Sequence, residues 1–230
     1  LKLHFTCAIR SDLMGKEVDP KGNSIPREER LDLAKKFVKA GCTHVSYSLE
    51  SGSDLILEAM NKRVKKKYFS EQVKICKEVG LITNTSLILG YPQETSETIA
   101  ESMTQLEKLR VYPSAGFLLP LPETGMFKYA VDNGYIKDIN KYLTQITERQ
   151  DFSLNLTKMT EEQLKNETIQ WLERLNKTFG NLLAKEKLFK TGGHDKTSKH
   201  QNTKARKETV HRNSTTVETL NYGTQEGTVR

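Results

Sequence analysis

The apolar positions of residues 1–140 switch repeatedly between a period of two and a period near 3.6. Leu3, Phe5, Cys7 and Ile9 alternate with polar neighbours, as in a strand. Ser24 and Pro26 then open a helix with Leu31, Ala34, Phe37 and Val38 at helical spacing, and Gly41 stops it. Val45 and Tyr47 belong to a second strand that ends in Glu50-Ser51-Gly52-Ser53, with a short helix over 54–60. A further helix over 68–79 carries Phe69, Val73, Cys76 and Val79 and stops at Gly80. The third unit is a strand over 82–89 and a helix capped by Thr95 or Ser96, with Ile99, Met103, Leu106 and Leu109 on one face. The fourth is a strand over 115–119 and a helix over 126–132 closed by Gly134.

This recurrence predicts an α/β fold of about four βα units with parallel strands, either part of a barrel or an open wound sheet. Residues 135–158 show no regular pattern. Thr160 and Gln163 then form a capping box for a helix whose stripe is Leu164, Trp171, Leu172, Leu175, Phe179 and Leu182. That stripe is expected to pack on the preceding domain. Past Thr191 apolar residues are few, and a disordered polar tail is expected. The domain reading is 1–140 as core, 141–190 as helical extension and 191–230 as tail.

Only 36% of residues are apolar, which agrees with an unpacked segment. The net charge of +7 arises from 36 basic residues interleaved with 29 acids. The densest basic run, 62–67, reads as a solvated connection, which argues against a nucleic-acid surface. Cys7, Cys42 and Cys76 offer neither a disulfide framework nor CxxC spacing, and His194, His200 and His211 lack metal-ligand spacing. No apolar run reaches the length of a membrane span and no signal peptide is visible, so a cytoplasmic protein is expected. The chain opens mid-pattern without Met, and an N-terminal portion is expected upstream.

All four strand ends carry unusual chemistry: Arg10-Ser11-Asp12, Glu50-Ser51-Gly52, Gly90-Tyr91-Pro92 and Pro120-Leu121-Pro122. In parallel α/β folds, sites gather at the C-terminal ends of the strands. Glu50 is the leading candidate, as a ligand or as a capping acid.

In this order, the segments 8–12, 40–62, 88–95 and 120–127 resemble the radical S-adenosylmethionine (SAM) superfamily, closest to the subgroup with an N-terminal cobalamin-binding domain. The resemblance covers residues 1–140. It implies a partial TIM-like (β/α)6 barrel, of which this chain holds the third to sixth units. It also implies SAM bound to a 4Fe-4S cluster on a CxxxCxxC loop, a 5′-deoxyadenosyl radical that takes hydrogen from substrate, and cobalamin in some members. This chain has no CxxxCxxC, so the cluster ligands are expected upstream. Carried over by position, Glu50 faces the SAM ribose, with Ser51 and Gly52 beside it. Ile88, Gly90 and Leu119 lie against the adenine, and Arg10 pairs with the SAM carboxylate or with Asp12. The implied activity is radical modification, including methylation, of a small organic or lipid-like substrate, with a reductant such as flavodoxin or ferredoxin. Two other readings stay open: a binding module that has lost the cluster, and an unrelated α/β-barrel enzyme with a phosphate-type ligand.

Overall fold

The computed structural model describes residues 3–149, 151–181, 183–184 and 187–189. Strands β1 (Phe5–Ile9), β2 (Cys42–Glu50), β3 (Ile82–Leu89) and β4 (Pro113–Phe117) form one sheet in the order β1-β2-β3-β4. Every pairing is parallel. The helices are α1 (Arg27–Lys39), α2 (Asp54–Ala59), α3 (Lys66–Glu78), α4 (Ser96–Leu109), α5 (Gly125–Asp132), α6 (Ile139–Gln145) and α7 (Glu161–Thr178).

The two faces of the sheet differ because strand side chains alternate. Val45, Tyr47 and Leu49 of β2, Leu87 and Leu89 of β3, and Ala115 and Phe117 of β4 are buried. They share one core with Ala34 of α1, Phe69 and Val73 of α3, Ile99, Met103 and Leu106 of α4, and Leu164, Leu172 and Leu175 of α7. Tyr47 meets Phe69 edge to face at 5.6 Å, and its hydroxyl donates to Cys76 Sγ at 3.1 Å. The opposite face presents His44, Ser46 and Ser48 of β2 and Asn84, Ser86 and Ile88 of β3, all only partly buried or exposed. Consecutive strand order with the helices on one side makes an unclosed barrel arc. A doubly wound sheet reverses its order and places helices on both faces.

Local sequence sets the helix limits. Thr95 accepts from the Thr98 N–H while Thr98 Oγ accepts from the Thr95 N–H, a capping box at the start of α4. Thr160 and Gln163 do the same for α7. As expected, α7 lays its stripe on the core beside α4.

Three expectations shift. β1 starts at Phe5 and not at Leu3, which is exposed. β4 spans 113–117 and not 115–119. Its last ladder bond is Leu118 N–H to Leu89 O at 2.7 Å, and Pro120 has no N–H to continue it. Leu119 therefore stands beyond the strand. The stretch read as irregular contains α6, capped by Asp138, which accepts from the Lys141 N–H at 2.9 Å. No residue of α6 is buried, so it leaves no apolar stripe to read. Leu182, the predicted tail and its three histidines lie outside the described residues.

Candidate functional site

Glu50 is the last residue of β2 and adopts φ 70°, a left-handed conformation uncommon outside glycine. The β2–β3 register shifts between Ser48 and Glu50. The bulge turns Glu50 onto the inner, polar face. There its Oε1 accepts from Lys62 Nζ at 3.0 Å and its Oε2 from Ser86 Oγ at 3.3 Å. The pair is largely shielded, with side-chain exposures of 30% for Lys62 and 15% for Glu50. Lys62 belongs to the basic run read as a solvated connection; the fold draws this one member back over the strand end.

Beside it lies a cleft of about 300 Å³ lined by Ala8, Ile9, Arg10, Ser11, Ser48 and Lys62, with Val64. The loop after β1 that forms one wall is tied down from behind. Gln72 of α3 donates to Arg10 O at 2.7 Å and accepts from the Met14 N–H at 2.5 Å. Arg30 of α1 donates to Met14 O and Gly15 O. Ser11 Oγ donates to Ser48 O at 3.2 Å, joining the ends of β1 and β2. Gln72 and Arg30 were not legible as site-supporting residues, because their helices carry many polar side chains and only the fold shows which are buried.

Arg10 forms a two-point pair with Asp12, at 2.9 and 3.1 Å. The Asp12 carboxylate raises the guanidinium pKa further, chiefly through these hydrogen bonds. Of the two partners the sequence offered it, the structure shows Asp12. Ile88 sits on the inner face opposite Gly116. Gly90 has φ 94° and is buried at the end of β3. Ser51 and Gly52 turn the other way, toward α4. Ser51 Oγ meets Ser102 Oγ at 3.2 Å, and the Gly52 N–H donates to Ser102 Oγ at 2.8 Å. A Cβ on Gly52 would stand 2.6 Å from Ser102 Cα, so glycine is needed there for helix packing.

Glu94, in the Gly90–Thr95 turn, is buried and accepts from Thr98 Oγ at 2.6 Å and from the Gly90 N–H at 3.3 Å. Burial pushes its carboxyl up to about 7, against the lowering effect of these bonds. It braces the strand end from inside the fold. The sequence shows Glu94 only as one acid in a polar turn.

The cysteines do not fit an iron–sulfur cluster. Cys42 and Cys76 are buried, and Cys7 Sγ lies 3.7 Å from Cys42 Sγ. Burial, with the neighbouring Cys42, pushes the Cys7 thiol up to about 11, unlike a ligating thiolate. Among the described residues no group of three or more His, Cys, Asp or Glu is placed to hold a metal. The strand ends offer groups of the kind SAM needs: the Glu50 carboxylate, the Ser86 hydroxyl and the Lys62 ammonium gather there, with Gly90 just past β3.

The fold is an unclosed arc of a parallel α/β barrel with polar groups gathered at its strand ends. Residues 15–106 match the model described as the Radical SAM superfamily. The chain is 32% identical to an uncharacterized methyltransferase of Pyrococcus horikoshii over 49% of this chain and 25% of that protein. It is 29% identical to a tRNA-2-methylthio-N(6)-dimethylallyladenosine synthase of Desulfosudis oleivorans over 47% of this chain and 25% of that one. The chain spans about a quarter of the length of these curated relatives. Among solved structures, coproporphyrinogen III oxidase of Escherichia coli superposes with a TM-score of 0.49 at 15% identity, over 76% of this chain and 32% of that one. The cobalamin-dependent radical enzyme OxsB superposes with a TM-score of 0.42 at 18% identity, over 58% and 18%. No helix among the described residues is long and apolar enough to cross a membrane.

Proposed function

We propose that this chain is the SAM-binding part of a radical SAM domain, acting in radical modification, of the methylation type, on a small organic or lipid-like substrate. Glu50 carries the reading: a left-handed carboxylate at a strand end, held on the inner face by Lys62 and Ser86. A carboxylate can accept from both ribose hydroxyls. In the same reading Ile88 gives the adenine an apolar wall, Gly90 and Leu119 bring backbone close to it, and Arg10 lies within reach of the SAM carboxylate. Ser51 and Gly52 contribute by fixing the direction in which Glu50 leaves the strand. When bound beside a reduced 4Fe-4S cluster, SAM supplies radical chemistry; cobalamin would supply methyl transfer. The cysteines of this chain do not hold the cluster, so its ligands would come from other polypeptide, and an electron donor such as flavodoxin or ferredoxin from outside.

The test is calorimetric titration with S-adenosylhomocysteine, which keeps the ribose, adenine and carboxylate of SAM. Glu50→Gln should weaken binding by roughly tenfold or more, as expected for loss of charge-assisted hydrogen bonds, with the melting temperature little changed. Equal affinity in the two proteins would reduce Glu50 to a strand-end acid.

A further inference from the structure

We propose that Arg149 forms an oxyanion subsite in the barrel lumen, for a carboxylate or phosphate of the molecule the domain acts on. This inference rests on the reading that the Glu50 side of the lumen takes SAM. After α6 the chain returns along β4, where the Phe117 N–H donates to Arg149 O at 2.6 Å. The Arg149 side chain then lies across the inner face of the strand, and its Nη2 donates to Ser114 Oγ at 2.6 Å.

The strand makes room for it. A Cβ on Gly116 would stand 2.9 Å from Arg149 Cγ and 3.0 Å from Arg149 O. A strand glycine with ordinary φ, over which another side chain passes this closely, marks a backbone shaped around that side chain.

Ser114 and Gly116 share their face with Ser86 and Ile88, their partners on β3. Ser86 in turn donates to Glu50, and Glu50 accepts from Lys62. One polar row therefore crosses the lumen from Lys62 through Glu50, Ser86 and Ser114 to Arg149.

Among the described residues, the guanidinium is the member of this row with no ion pair. Arg10 is paired with Asp12, Arg27 with Glu71 and Glu78, and Arg174 with Glu107. Among the described residues no carboxylate lies within ion-pair distance of Arg149. One N–H group is spent on Ser114, and a planar fork with donors to spare suits two-point binding of a carboxylate or phosphate. Its side chain is already ordered along the strand, so binding would cost little further rotamer entropy.

The chain is titrated separately with inorganic phosphate and with S-adenosylhomocysteine, for wild type, Arg149→Gln, Arg149→Lys and Glu50→Gln. Phosphate affinity should fall roughly tenfold or more in R149Q, fall less in R149K and hold in E50Q. S-adenosylhomocysteine affinity should hold in R149Q and fall in E50Q. R149K keeps an alkyl stem over Gly116, so a melting temperature equal to wild type separates lost binding from lost fold. Phosphate binding R149Q as well as wild type, or not binding wild type at all, overturns the proposal. Loss of S-adenosylhomocysteine in R149Q also overturns it, by giving the guanidinium to the SAM carboxylate. Phosphate bound through Arg149 with no binding of S-adenosylhomocysteine to wild type upholds the oxyanion site and sinks the SAM reading alone.

Discussion

Glu94 and Gly52 show how single residues support the strand ends without facing the lumen. The Glu94 carboxyl is pushed up to about 7 from an ordinary value of 4.5 by burial. Its folded pKa lies above its unfolded one, so the folded state prefers the protonated acid. The stabilisation is complete below the unfolded value and is lost as pH rises through about 7. Each unit corresponds to about 1.4 kcal/mol, so the loss is on the order of 3 kcal/mol. Glu78 and Glu107, lowered by their arginine partners, act in the opposite direction. Urea melts at pH 5 and pH 8 should therefore show Glu94→Gln losing less stability on alkalinisation than wild type; parallel pH profiles would mean that Glu94 is solvated. Gly52→Ala should cost about 1–3 kcal/mol, because an added Cβ would stand 2.6 Å from both Gln105 Oε1 and Ser102 Cα, and while the amide tip can swing away the backbone of α4 cannot. At this scale the sequence marked Glu50 through its abrupt strand-to-turn change. It could not reveal Lys62, which lies twelve residues on in a run of similar cations. Arg149 was hidden for a related reason: its neighbours carry no periodic pattern, and only the chain's return along β4 gives it a place.

Among the elements, legibility followed burial. The helices with an apolar face, α1, α3, α4 and α7, and the alternating strands β2 and β3 stand within a few residues of their sequence pattern. β4 is displaced because its run of Ala, Gly and Phe continues into Leu118 and Leu119, apolar residues that the proline turn takes out of the ladder. The helix α7 is held by fully buried Leu164, Leu172 and Leu175. Leu172→Ala should cost about 2–5 kcal/mol, from lost transfer energy and the cavity left behind. S-adenosylhomocysteine affinity at temperatures well below the melt should be unchanged, because Leu172 faces the helix layer and the lumen lies across the sheet. A matching drop in affinity would show that α7 shapes the site. The Glu107–Arg174 pair across the same interface is more exposed on the arginine side, and its removal should cost no more than about 1 kcal/mol.

For the whole molecule, β1 pairs only with β2 among the described residues, and its residues are exposed or partly so. An unpaired parallel edge is a template for association. Sedimentation should show association that grows with concentration and is reduced by Phe5→Lys; a monomer at all concentrations would mean that the edge is covered. The α/β class was legible from the recurrence of strand ends. The partial closure was legible too, because about four strand starts could be counted and the described sheet has four strands. The consecutive strand order carries a kinetic consequence. Phe5 pairs with Cys42, His44 with Ile82 and Thr85 with Pro113, so each strand waits only for the next βα unit to emerge. Among the described residues no pairing joins the first strand to the last. Loop-closure entropy is met in modest instalments, and such a sheet can grow outward from any adjacent pair. Folding can then begin at β2–β3, the pair with the longest ladder, and β1 and β4 can add in either order.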